Sequence, residues 1–196
     1  LEEIQSEVDI PIIGVIKPGA KTAIEMTKNG RIGVIGTEAT IRSDIYKNII
    51  CEKNPAVTVL GKPCPFFVPL VEEGWTKDTV TLEVAKRYLE CFKKEDIDTL
   101  VLGCTHYPLL RNIIGEVMGE GVTLVNPAYE TAVSLGRLLE EMQLAAGNEH
   151  RYEGHMYEFY VSDTADKFKT FANSILPFHI ENIGLVNMEE FSQGTE

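Results

Sequence analysis

One pattern constrains this chain more than any other: short apolar runs alternate with longer segments of helical period. Residues 12–16 (IIGVI), 31–36 (RIGVIG), 56–61 (AVTVLG), 98–103 (DTLVLG) and 122–125 (VTLV) read as strands. They are apolar at successive positions, so both of their faces must be covered. Between them, apolar residues recur every three or four positions, as with Leu82, Ala85, Leu89 and Phe92 over 79–93. The alternation predicts an α/β fold in which helices cover a parallel sheet on both sides. Ligands of such sheets bind at the carboxyl ends of the strands.

The remaining elements follow from punctuation. A helix is expected over 20–28, closed by Asn29-Gly30, and Thr37 can cap a helix running through Ile45 and Ile49. The proline-rich CPFFVPLVEEGW (64–75) reads as a shaped loop. Helices are expected from Tyr107 to Met118 and over 129–144. A polar stretch (147–155) precedes a strand at 157–162 and a helix with Asp163 as N-cap and Asp166 at its third position.

Charge narrows the partners. Thirty acidic against 18 basic residues leave a net charge of −12, which argues against nucleic acid and anionic membrane as partners. No apolar run approaches the roughly 20 residues that span a bilayer, and no secretory pattern opens the chain. A soluble, cytoplasmic protein is the expectation.

Four cysteines stand at 51, 64, 91 and 104 without a C-x-x-C knuckle. A zinc site from Cys104 and His106 lacks ligands, with Cys64 the one plausible addition, so no metal is expected. Cys91 and Cys51 suit the role of small buried hydrophobes. Cys104 stands apart by position. It follows a strand and Gly103, at the mouth of the next helix, where unpaired N–H groups favour a thiolate.

Polar residues gather at the same sheet edge. Thr37 and Thr40 follow the second strand, Thr105 and His106 follow Cys104, and Glu72 falls in the loop after the third strand. Each has a structural counterpart: the threonines can cap a helix, Glu72 can be a solvated acid, and His106 can be a half-buried filler. Together they describe an acid/base site for small anions, His106 shuttling a proton or holding the thiol.

These residues carry a resemblance. VLGCTHYPLL (101–110) resembles the second cysteine motif of bacterial glutamate racemases, which act without a cofactor. GVIGTEATIRSDIY (33–46), FFVPLVEEG (66–74), VNPAYETA (125–132) and YVSDTADKFKTFANSIL (160–176) are similar to further segments of that family. The resemblance implies a two-lobed α/β fold, with 12–125 as the near-complete lobe bearing Cys104. Residues 1–11 and 126–196 are then part of the other, incomplete lobe. It implies interconversion of L- and D-glutamate for peptidoglycan by two opposed cysteines, one on each face of the substrate Cα. Cys104 is then the member acting on L-glutamate, assisted by His106, with Glu72 near the substrate amino group and the proton-transfer groups. Thr37, Thr40 and Thr105 hold the substrate carboxylates. A homodimer is implied as well. His106 favours glutamate, because related aspartate racemases carry Glu there.

The departures from the family pattern are as informative. Its Asp-Ser-Gly loop and Cys-Asn-Thr motif, which holds the partner cysteine, do not occur in these residues, and Asn126 replaces its usual Asp. LEEIQ at the start reads as the interior or end of a helix, so the chain is expected to begin just after that motif and to racemise poorly alone. Two alternatives stay open: a non-catalytic binding module, and a related racemase of aspartate or hydantoins. A redox role lacks a resolving cysteine beside Cys104.

Overall fold

The structure, a computed structural model, describes residues 1–145 and 157–191. The chain divides into two units, Leu1–Ala145 and Ala146–Glu196. The first is organised by a sheet of four strands: β1 (Arg31–Gly36), β2 (Thr58–Pro63), β3 (Thr99–Leu102) and β4 (Thr123–Val125). All pairings are parallel and the order is β2-β1-β3-β4. The direction of winding therefore reverses at β1, whose neighbours are β2 on one side and β3 on the other.

Both faces of the sheet are apolar, as the unbroken runs require. Ile32 and Val34 of β1, with Val101 and Val125, form a buried cluster with Ala20, Ala23 and Ile50. The last three belong to α2 (Ile16–Met26) and α4 (Ile45–Lys53). On the opposite face, α6 (Thr79–Lys94) lies so close that a Cβ at Gly33 would stand 3.0 Å from the Phe92 ring. Each fully buried Ile, Leu or Phe contributes about 2 kcal/mol of transfer free energy, so these two layers supply the main drive for the unit. Helix α7 (Arg111–Met118) packs beside α6, and α8 (Pro127–Glu141) crosses α2, where Thr22 donates to Glu130 at 2.8 Å.

Several expected elements change. Residues 12–15 are not a strand; α2 starts at Ile16 and absorbs Pro18 in its first turn, where a missing N–H costs nothing. The helix after Thr37 is two helices, α3 (Glu38–Arg42) and α4, broken at Asp44 in the left-handed region (φ 51°). The proline-rich segment is not a loop throughout: it contains α5 (Phe67–Glu72), with Pro69 again in the first turn. Pattern reading fails at such sites because a proline within the first turn looks like a breaker. The helix expected from Tyr107 opens as a 3-10 turn (Tyr107–Leu110) before α7 begins. A short α1 (Glu2–Glu7) opens the chain, and the Gln5 side chain ties its end to the backbone of Val8, Ile10 and Ile12.

The second unit pairs β5 (Tyr160–Val161) in parallel with β6 (Gly184–Leu185), with α9 (Ala165–Ile175) between them in sequence and α10 (Met188–Phe191) after. The Asn173 side chain bonds both the N–H and the carbonyl of Ile180, at 2.7 and 3.2 Å. Thr164, not Asp163, holds the N-cap position, while Asp163 accepts from the Thr164 N–H at 2.8 Å. Asp166 lies in the first turn, as expected. The strand expected at 157–162 shrinks to two residues, and the polar stretch 147–155 lies outside the described residues. Among the described residues, no helix is long and apolar enough to cross a membrane.

Candidate active site

The reversal of winding leaves a crevice between the carboxyl ends of β1 and β3, the place where open parallel sheets hold their ligands. Ile35 pairs with Leu102, so Thr37 and Cys104 leave the sheet side by side. Gly103 makes this junction possible. Its N–H donates to the Ile35 carbonyl at 2.8 Å, and a Cβ there would stand 2.7 Å from the same oxygen. The chain after β2 joins the same edge, the Cys64 N–H donating to the Gly36 carbonyl at 2.9 Å.

On the β1 side, Thr37 is the N-cap of α3. Its hydroxyl oxygen accepts from the Thr40 N–H at 3.3 Å and lies 3.0 Å from the Thr40 hydroxyl. The capping expectation is met, and the two half-buried hydroxyls face each other at the rim.

On the β3 side, Cys104 Sγ lies 3.8 Å from His106 Nδ1, and Thr105 Oγ1 lies 3.5 Å from the same nitrogen. The other ring nitrogen, Nε2, lies 3.5 Å from Glu72 Oε1, the carboxylate at the last residue of α5. Carboxylate, imidazole and sulfur thus follow one another in a row, each partly open to solvent. The structure brings together Glu72, His106, Cys104 and Thr105 directly, with Thr37 and Thr40 on the neighbouring strand end. One expected feature differs. Cys104 does not sit at the mouth of a long helix, because a 3-10 turn intervenes before α7, and its own carbonyl accepts from the Tyr107 N–H at 3.1 Å.

The other cysteines occupy other surroundings. Burial pushes the Cys64 thiol up to about 12, and its S–H points at the Lys62 carbonyl. Cys51 and Cys91 are half-buried on α4 and α6, with Cys91 facing the carbonyl of Tyr88 one turn back. Among the described residues, no three His, Cys, Asp or Glu side chains are grouped to hold a metal ion.

One buried neighbour of the site was not legible from residue type. Tyr107, read only as the start of a helix, is fully buried, and its hydroxyl donates to the Cys64 carbonyl at 2.8 Å. Asn126 caps α8 by accepting from the Ala128 N–H at 3.1 Å.

Comparison with known proteins decides the lineage. The profile of the Asp/Glu/Hydantoin racemase family matches residues 1–135. The chain belongs to this family. Among its relatives, the glutamate racemase of Geobacter metallireducens is 43% identical over 189 residues, 96% of this chain and 69% of that one. The crystal structure of glutamate racemase isoform RacE1 from Bacillus anthracis superimposes with a TM-score of 0.87 at 36% identity, covering 95% of this chain and 68% of that one. The glutamate racemase of Francisella tularensis, solved in complex with D-glutamate, gives 0.85 at 32% identity, covering 96% and 69%. This racemase chain therefore spans about two thirds of the length of these relatives. The parallel α/β sheet flanked by helices that the alternation predicted is the architecture they share.

Proposed function

We propose that this chain carries one half of a glutamate racemase site, with Cys104 as the acid/base on one face of the substrate Cα. The observation that supports it is the row Glu72–His106–Cys104, with gaps of 3.5 and 3.8 Å, at the sheet's switch-point crevice. As thiolate, Cys104 takes the α-proton. The electron pair left on Cα delocalises into the adjacent carboxylate, and a second acid on the opposite face returns a proton. Only C–H, S–H and the His106 N–H bonds change, each proton passing from one of these atoms to the next, and no electrons are gained or lost. His106 takes up or supplies the proton of the sulfur, and Glu72 supports the imidazolium and attracts the substrate ammonium. The hydroxyls of Thr37, Thr40 and Thr105 hold the two carboxylates, where donors aimed at the developing charge count most.

The second acid is a sulfur of the family's first cysteine motif, supplied from outside residues 1–196. Residues 12–125 act as the lobe bearing Cys104, and residues 1–11 and 126–196 belong with the lobe that supplies that sulfur. The product D-glutamate serves peptidoglycan synthesis in the cytoplasm, and the working form is a homodimer.

The test is proton exchange in deuterium oxide. Incubated with each enantiomer of glutamate, the 196-residue chain is expected to exchange the α-proton of one enantiomer without comparable turnover to the other. Rapid racemisation of both by this chain sinks the two-sulfur reading. Absence of exchange with either, in protein that binds glutamate, favours a binding module instead.

A further inference from the structure

We propose that Tyr107 is a positioning residue, whose buried hydroxyl sets the spacing between Glu72 and His106 by way of the Cys64 carbonyl. The inference rests on the proton-transfer reading above and adds to it a residue that touches none of the reacting atoms.

Glu72 and His106 belong to different parts of the fold. Glu72 ends a six-residue helix that follows β2, and His106 lies in the turn that follows β3. Neither segment is long enough to hold its own position, since isolated helices of this length are unstable in water. Something must lock one to the other. The Cys64 carbonyl accepts two hydrogen bonds: from the N–H of Phe67, the first residue of α5, at 3.1 Å, and from the Tyr107 hydroxyl at 2.8 Å. One oxygen thus joins the start of the Glu72 helix to the residue next to His106.

Aromatic packing fixes the orientation of the same joint. The Phe67 ring meets Tyr107 edge to face, with centroids 5.3 Å apart and planes at 89°. It meets Tyr88 of α6 in the same way on its other side, at 5.3 Å and 87°. Phe67 and Tyr107 are both fully buried, so neither can swing without opening the core. From Phe67 the helix climbs about 7 Å to Glu72, at roughly 1.5 Å per residue, so a small tilt at its base moves the carboxylate relative to the imidazole. A phenylalanine at 107 fills the same volume. The hydroxyl is present for the carbonyl it meets, and desolvation keeps it protonated and therefore a donor.

The test uses the full 196-residue chain and iodoacetamide, with alkylation at Cys104 followed by peptide-resolved mass spectrometry from about pH 5 to about pH 9. Tyr107→Phe is expected to slow Cys104 alkylation by about tenfold near neutral pH, as small displacements of reacting groups do, and to change its pH profile in the same sense as Glu72→Gln. The double variant is expected to be no slower than Glu72→Gln alone, because the tyrosine acts through the carboxylate. Alkylation of Cys51 and Cys91 stays unchanged. If Tyr107→Phe follows the parent profile while Glu72→Gln departs from it, the positioning role is overturned and the proton-transfer reading survives. If neither Glu72→Gln nor His106→Asn alters the profile, that reading fails and takes the inference with it. Should Tyr107→Phe not fold, Phe67→Leu probes the same joint from α5. Non-additivity with Glu72→Gln supports the proposal, and simple additivity overturns it.

Discussion

The two ends of the central sheet hold comparable polar groups and use them in opposite ways. At the amino edge, Asp98 precedes β3, and its carboxylate accepts from the Thr27 hydroxyl and the Lys28 and Asn29 N–H groups at 2.6–2.7 Å, and from the Thr99 hydroxyl at 3.0 Å. Burial alone raises the Asp98 pKa, but donors from Thr27, Asn29, Lys28 and Thr99 outweigh it and hold the carboxyl below its usual value. At the carboxyl edge, Glu72 Oε1 lies 3.5 Å from His106 Nε2 and Cys104 Sγ lies 3.8 Å from His106 Nδ1, and all three residues stay partly open to solvent. A carboxylate saturated by short bonds is a rivet between α2, β1 and β3. A row of titratable groups in contact with one another and with solvent can pass protons along, as an acid/base site requires.

This contrast can be broken experimentally. The largest effect belongs to the carboxyl edge: Cys104→Ala is expected to cut α-proton exchange of glutamate by about a thousandfold or more, with the melting temperature nearly unchanged. If exchange persists, the sulfur is not the base. Gly103→Ala forces a methyl group against the Ile35 carbonyl, and should cost about 2–3 kcal/mol in chemical denaturation while displacing Cys104. Asp98→Asn should cost about 1–2 kcal/mol, moderated by the solvent that reaches the site, and leave the Cys104 alkylation rate alone. A large change in that rate would erase the distinction between the two edges.

The same aspartate sets an acid dependence. Because its folded pKa lies below the unfolded one, its contribution is complete above about pH 4 and is lost as pH falls through the folded value. Urea midpoints measured across that window should decline less steeply in Asp98→Asn than in the parent. The smallest effect falls on Thr37, which belongs to both categories as cap and rim hydroxyl. Thr37→Ser should preserve both roles, whereas Thr37→Val should cost about 1 kcal/mol of stability and weaken glutamate binding in calorimetry.

How far the placement of the candidate residues is legible in the sequence depends on strand ends. Thr37 and Cys104 are expected together because strands apolar on both faces belong to buried parallel sheets, and parallel strands deliver their following residues to one edge. The sequence puts Glu72 at that edge but in a loop, since Pro69 masks the helix that carries it. Similarly, the left-handed Asp44 that divides α3 from α4 left no mark, because nothing in IRSDIY demands a positive φ. The role of Tyr107 has no mark in the sequence for a different reason. Its partner is a backbone carbonyl 43 positions away, and a carbonyl has no signature in a sequence.

Local chemistry was enough to establish the α/β alternation, the strand cores, the capping role of Thr37 and the Gly-Cys-Thr-His turn. These depend on side-chain pattern and on neighbours within a few positions. Strand order and register, the 3.5 Å approach of Glu72 to His106, and the carbonyl that ties α5 to Tyr107 came from folding alone. Distances between segments far apart in the chain arise when buried faces pack, and no short stretch of residues encodes them.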